Sequence, residues 1–138
     1  MDTSPAVTAA IASTPYTVRL GDDHGHQWLA DEPADLHGTN AGPDPHRLLL
    51  SSLGACTAIT LKMYAERKGW PLEGVEVALD FNPDGTPPPG SNRISRRIAL
   101  YGELSEEQRE RLLQIANACP IHKVLSGEIH IDSVLGKV

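Results

Sequence analysis

The longest apolar stretch of the chain predicts a buried helix. "HRLLLSSLGACTAITLKMYAERKG" is apolar or small on every side over its first half and gains a polar face only from Lys62 onward. Asp44 and Pro45 before it are typical of a helix N-cap and first helical position, and Gly69 is typical of a helix end. Since a helix that is apolar all round is one that is buried all round, we expect a long central helix that is covered on all sides.

Alternating apolar and polar positions predict strands on both sides of this helix. Residues 16–31 alternate around a polar turn at 21–25, which indicates a β-hairpin. "VEVALDF" and "NRISRRIALYGE" alternate in the same way and predict two further strands. The final segment, "SGEIHIDSVLGKV", predicts a strand that closes the fold.

A second helix is predicted between the last two of these strands. "LSEEQRERLLQIANAC" opens with Ser105, and Gln108 three residues later completes a capping box. Pro120 interrupts this helix, since a proline in a helix interior costs roughly 3 kcal/mol, and "IHKVLS" can begin another. The pattern therefore predicts an α+β fold. We expect a flexible N-terminal tail over residues 1–14 and a single domain over residues 15–138.

Composition and charge exclude some classes of function. Aromatic residues make up only 4% of the 138 residues, so a fold that pools apolar surface between subunits suits the chain. A net charge of −6 argues against nucleic acid or an anionic membrane surface as a partner. The apolar run looks too short to span a bilayer before Lys62, and Asp2 without a basic residue is unlike a secretory signal. We expect a cytoplasmic protein.

The two cysteines, Cys56 and Cys119, are the candidate chemical groups. They have no CxxC spacing, and a structural disulfide is not expected in a reducing compartment. Cys56 lies on an apolar helix face, where a cysteine can serve simply as a small hydrophobic residue. Chemistry at Cys56 would need a cation or a helix end supplied by another part of the fold.

Cys119 directly precedes Pro120, where a new helix can begin. Free N–H groups and the helix dipole lower the pKa of a thiol at such a place, and His122 and Lys123 could add positive charge. The alternative is a helix-end cysteine without a role. The cysteines and histidines show no ligand spacing for a metal, and no phosphate-binding loop is present, so we expect no metal and no cofactor.

Two segments carry a resemblance to a known family. "GPDPHRLLLSSLGACTAITLKMYAERKGWPLEGVEV" and "EEQRERLLQIANACPIHKVLSGEIHI" are similar to the OsmC/Ohr family of osmotically inducible and organic-hydroperoxide-resistance proteins. The similarity is to the OsmC-like branch, with its GPxP, LGACTAxTL, MYAxRKGW and CPxH segments, and it extends from Tyr16 to about Ile131. It implies an OsmC-like fold in an intertwined homodimer, with the central helices buried under the sheets and active sites at the subunit interface.

The resemblance also implies an activity, that of a cofactor-free thiol peroxidase acting on organic hydroperoxides. Cys56 corresponds to the cysteine that attacks the peroxide, and Cys119 to the cysteine that resolves the sulfenic acid into a disulfide. A dithiol or lipoyl-type reductant would then reduce that disulfide.

The chain departs from the peroxidase branches ten residues before Cys56, where those proteins have a glutamate and this chain has His46. Arg47 then occupies a position that is often acidic in the OsmC-like branch. Arg19, His46 and His122 are candidate cations for thiol activation. The alternative function on the same fold is a redox-sensing or small apolar ligand-binding stress protein with weak or no peroxidase activity.

Overall fold

The computed structural model describes residues 4–137. They form two compact units, one from the residues up to Leu49 together with Asp132 onward, and one from Leu50 to Ile131. Both units combine strands with helix, which confirms the predicted α+β class. The single domain over residues 15–138 stays a prediction.

The first unit contains a three-stranded antiparallel sheet, in the order β1 (Val7–Ile11), β2 (Val18–Asp22) and β3 (Gln27–Ala30). β2 and β3 are the predicted hairpin, which is confirmed. The predicted flexible tail is wrong for β1, since Ala9 pairs with Leu20 of β2. All five side chains of β1 are exposed, so only backbone hydrogen bonds define the strand. It has no buried face that an alternating sequence pattern could indicate. The tail's first three residues lie outside the described ones.

A buried carboxylate, that of Asp31, organises the loop after β3. Asp31 is only 2% exposed. Its two oxygens accept hydrogen bonds from backbone N–H groups and threonine hydroxyls, which belong to Tyr16, Thr17, Glu32, Thr39 and Ala41. The hydrogen bond from the Thr39 hydroxyl is the largest influence, and with the others it outweighs burial and holds the pKa of Asp31 well below its usual range.

The central helix α1, Pro45–Lys68, begins and ends as predicted. The Asp44 carboxylate accepts the backbone N–H of Arg47 at 2.8 Å, which caps the first turn. Gly69 follows the helix with a φ of +72°, a conformation that glycine adopts without strain.

The second unit packs α1 against a hairpin and two short helices. β4 (Gly74–Phe81) pairs antiparallel with β5 (Ile94–Tyr101), and both predicted strands are confirmed. The helix α2, Glu106–Ala116, has the predicted capping box, and α3, Pro120–Leu125, begins at the predicted break. The buried core consists of Leu61, Ala65, Leu72, Leu112 and Ala116.

Burial along α1 is confined to one stripe, which corrects the expectation that the helix is covered on all sides. The buried residues Leu53, Thr57, Leu61 and Ala65 follow one another at intervals of four. On another face Ile59 is 54% exposed and Met63 is 66% exposed. The reason is that the elements of the second unit pack on the buried stripe and leave the apolar residues elsewhere on the helix uncovered.

The same helix meets the length and composition of a membrane span. It is the one such helix among the described residues, with a mean hydropathy of 1.4 in its most apolar window, 28% of which is buried. The expectation that this run is too short is therefore not supported by its length. Core helices of soluble proteins meet the same criterion, so the observation is weak evidence.

The predicted closing strand is wrong within the described residues, because residues 126–137 contain no strand. Ile129 and Ile131 alternate as they would in a strand, but both are exposed. A strand requires a hydrogen-bonding neighbour, and residues 4–137 supply none for this segment.

The Asp31 cluster predicts a specific loss of stability in acid. A carboxyl whose pKa is depressed by folding stabilises the folded state above its unfolded pKa of about 3.9, and this contribution is lost as the pH falls below that value. We expect Asp31→Asn to lower the melting temperature at pH 7 by several degrees and to flatten its decline between about pH 4 and pH 2. Thermal melts across this range test the prediction. The matched control is Asp35→Asn, at an exposed carboxylate, and equal effects of the two substitutions would contradict it.

Candidate active site

The structure brings the two predicted site residues together in the second unit. Cys56 lies on α1, half buried, with its Sγ 4.0 Å from Thr60 Oγ1. Cys119 is fully buried directly before α3. Cys56 is a side-chain neighbour that lowers the pKa of the Cys119 thiol, and both thiols are free. The geometry therefore supplies two interacting thiols, as a two-cysteine reaction requires.

Local sequence signals explain where Cys119 lies. α2 ends at Ala116, and Pro120 occupies the first turn of α3, where its missing N–H costs no hydrogen bond. Cys119 becomes the N-cap of α3, and its Sγ accepts the backbone N–H of His122 at 3.3 Å. The sulfur thus occupies the position of the usual capping hydroxyl or carboxylate oxygen.

The main cation of the site is Arg96 on β5, which the sequence analysis did not single out. Its Nη1 donates to Thr57 Oγ1 at 3.0 Å and to the Ala116 carbonyl at 3.3 Å. Its Nη2 donates to Asn117 Oδ1 at 2.9 Å and to His122 Nδ1 at 3.1 Å, where the ring nitrogen must be the acceptor because a guanidinium only donates.

A signal for Arg96 does exist in the sequence. In "ISRRIALY" the inward positions of the strand are Ile94, Arg96, Ile98 and Leu100, so one arginine stands on an otherwise apolar face. A charged residue at such a position is rare without a buried partner, and this pattern could have marked it. The sequence could not identify its partners, which come from α1, α2 and α3.

The surroundings of Cys119 favour its thiolate. Burial alone would raise the pKa of the Cys119 thiol. The His122 backbone N–H, hydrogen bonds with the Cys56 and Thr57 side chains and the positive charge of Arg96 outweigh burial and hold that pKa below its ordinary value. The thiolate form of Cys119 is therefore favoured.

The three cations predicted from the sequence lie on three different elements of the fold. His122 belongs to the site through its ring and its backbone N–H. Arg19 lies on β2, and His46 lies in the first turn of α1. Arg47 forms an ion pair with Asp44 at 2.6 Å.

An open cavity of about 470 Å³ lies beside Arg96 in the second unit. Arg96, Asn117 and His122 contribute its main polar groups. Its apolar wall consists of Leu53, Ile94, Ile98, Leu113 and Leu125. A molecule with an apolar body and a polar group fits this lining. No cluster of three His, Cys, Asp or Glu side chains suited to a metal occurs within residues 4–137.

Comparison with known proteins gives a consistent assignment of the fold. The model of the OsmC-like protein family matches residues 38–134. An OsmC-like protein from Mycoplasma pneumoniae has a similar structure, with 23% identity, a TM-score of 0.75 and coverage of 92% of this chain and 90% of that one. No curated protein matches the chain significantly.

Two further solved structures have names that refer to a function. One is an organic hydroperoxide resistance protein OsmC and predicted redox protein from Legionella pneumophila, at 20% identity, a TM-score of 0.65 and 88% coverage of each chain. The other is an organic hydroperoxide resistance protein from Vibrio cholerae with captopril bound, at 20% identity, a TM-score of 0.59 and coverage of 92% and 88%.

The family match includes both cysteines, α1 and all the elements that surround the thiol pair, from residue 38 to residue 134 of 138. The resemblance found in the sequence motifs is therefore confirmed, and the chain belongs to the OsmC-like protein family.

Proposed function

We propose that this protein is a cofactor-free thiol peroxidase that reduces organic hydroperoxides through a disulfide between Cys56 and Cys119. The observation that carries the proposal is the pair of neighbouring free thiols beside the Arg96 guanidinium. The names of the Legionella and Vibrio relatives, which refer to organic hydroperoxide resistance, support the same chemistry.

The difference in exposure between the two cysteines suggests their roles in the reaction. Cys56 is half buried whereas Cys119 is fully buried, so we assign the attack on the peroxide to Cys56. The Cys56 thiol gives its proton to the neighbouring Cys119 as Cys56 attacks one oxygen of the O–O bond. That bond breaks, the alkoxide takes a proton from solvent and leaves as the alcohol, and Cys56 becomes a sulfenic acid.

The second step resolves this intermediate. Cys119 attacks the Cys56 sulfur, the S–O bond breaks, and the hydroxyl group leaves as water with the proton from the thiol pair. The peroxide gains two electrons, which come from the two sulfurs as they form the disulfide. A dithiol or lipoyl-type reductant then restores both thiols in a reducing, cytoplasmic setting.

The proposal includes a homodimer. Ile59 and Met63 form an apolar surface on α1, and the unpaired segment after α3 adds Ile129 and Ile131. A second copy of this chain supplies the same surface and the same unpaired segment, and a two-fold interface is self-complementary. Low aromatic content agrees with a core that two subunits build together.

Single-turnover consumption of cumene hydroperoxide by the fully reduced protein tests the activity. We expect the loss of two thiols per subunit for each peroxide consumed, since the chain has two cysteines. Cys56→Ser should abolish consumption. Cys119→Ser should consume peroxide in the first turnover and then accumulate a sulfenic acid that dimedone traps. Unchanged consumption by Cys56→Ser, or no thiol loss in the unmodified protein, would rule out the proposed cycle.

Sedimentation equilibrium tests the homodimer. We expect the protein to sediment at twice the 14.9 kDa mass of the chain. Met63→Glu should shift it to the monomer, because it places a charge on the apolar surface of α1. Thr86→Glu adds the same charge at an exposed loop position and should leave the dimer intact. A monomeric unmodified protein would refute this part of the proposal.

A further inference from the structure

We infer that the disulfide is reduced asymmetrically: the external thiol attacks the Cys56 sulfur, and Cys119 departs as a thiolate held by the His122 N–H and the charge of Arg96. Arg96 is then a positioning residue for the return half of the cycle. The inference rests on the Cys56 to Cys119 disulfide of the proposed function. It adds which sulfur the reductant attacks and which cation stabilises the departing thiolate.

Access is the first argument for this asymmetry. Thiol and disulfide exchange requires the incoming thiolate to reach the sulfur that it attacks. Within one subunit Cys119 has 0% exposure, whereas Cys56 is only half buried. The surroundings of Cys119 come from α1, β5 and the start of α3, so an approaching reductant meets the Cys56 sulfur first.

The second argument concerns the leaving group, because the sulfur that leaves more easily is the one whose thiolate is more stable. Cys119 Sγ accepts the His122 N–H at 3.3 Å and has the Arg96 charge beside it. Cys56 Sγ has a weaker neighbour, the Thr60 hydroxyl at 4.0 Å. Attack at Cys56 therefore releases the better-stabilised thiolate.

The third argument is the charge of Arg96. Its four hydrogen-bond partners are a hydroxyl, a carbonyl, an amide oxygen and a ring nitrogen, and none carries a negative charge. Within the described part of the chain, no carboxylate pairs with this guanidinium. A partly buried cation without a counter-ion favours an anion nearby, and the Cys119 thiolate provides one when the disulfide opens.

The step balances as an exchange of two electrons with a dithiol. A thiolate of the reductant attacks Cys56 Sγ, a new S–S bond forms between them, and the electron pair of the broken S–S bond remains on Cys119. The second thiol of the reductant then displaces Cys56, which takes up a proton, and the reductant leaves as its own disulfide.

Trapping the mixed disulfide tests which sulfur is attacked. The protein is oxidised with diamide, mixed with glutathione, quenched in acid, alkylated with N-ethylmaleimide and analysed by peptide mass spectrometry. We expect glutathione on Cys56 and the alkyl group on Cys119. Glutathione on Cys119, an equal mixture, or failure of diamide to form the disulfide would overturn the inference.

Variants of Arg96 test the charge. Arg96→Gln keeps hydrogen-bonding groups but removes the positive charge, so the reduction of the disulfide by dithiothreitol at pH 7 should slow roughly threefold to tenfold. The pH at which thiolate absorbance of the reduced protein appears should rise, and Arg96→Lys should restore much of both. Arg97→Gln, on the exposed face of β5, is the matched control and should change neither.

The outcomes separate this inference from the proposed peroxidase activity, because diamide forms the disulfide without peroxide. Attack at Cys56 with no consumption of cumene hydroperoxide would reject the peroxidase and retain the asymmetry. Peroxide consumption with attack at Cys119 would do the reverse. If Arg96→Gln and Arg96→Lys slow reduction equally with an unchanged thiolate titration, the role of Arg96 is structural and the inference fails in that part.

Discussion

The arrangement of the site depends on the hydrogen bonds of one guanidinium. Arg96 extends from β5 to a hydroxyl on α1, to the last carbonyl of α2, to the residue that follows α2 and to the ring of His122 on α3. These contacts fix the break between α2 and α3 against the central helix. Cys119 lies at this break, so the position of its sulfur relative to that of Cys56 depends on the hydrogen bonds of Arg96.

The same contacts give the site its electrostatic character. A partly buried arginine is stable when its donors are used, and here all four partners accept hydrogen bonds without neutralising the charge. In this chain a positive charge acts on Cys119 from β5, and the polar contacts of the thiol pair all lie in the second unit.

Elements with a local signal could be predicted from the sequence, whereas features that depend on distant contacts could not. Asp44, Ser105 and Pro120 mark helix boundaries through bonds to residues close by in the chain, and those boundaries are confirmed. The side chains of β1 are not buried, so the sequence pattern did not predict this strand. The pattern did predict a strand after α3, but residues 126–137 have no neighbouring strand among the described residues. Cys56 and Cys119 were found through motif resemblance. Arg96 was missed because its partners lie 20 to 39 residues away.

The capping contact at Cys119 has a consequence for the backbone of α3. In the proposed cycle, the Cys119 sulfur that forms the disulfide is also the atom that accepts the His122 N–H in the first turn of that helix. A thiolate is a stronger hydrogen-bond acceptor than a disulfide sulfur, so in the proposed cycle oxidation would weaken the cap and reduction would restore it. If this cycle operates, the order of the first turn of α3 depends on the oxidation state of Cys119, and hydrogen exchange at the His122 amide would report it.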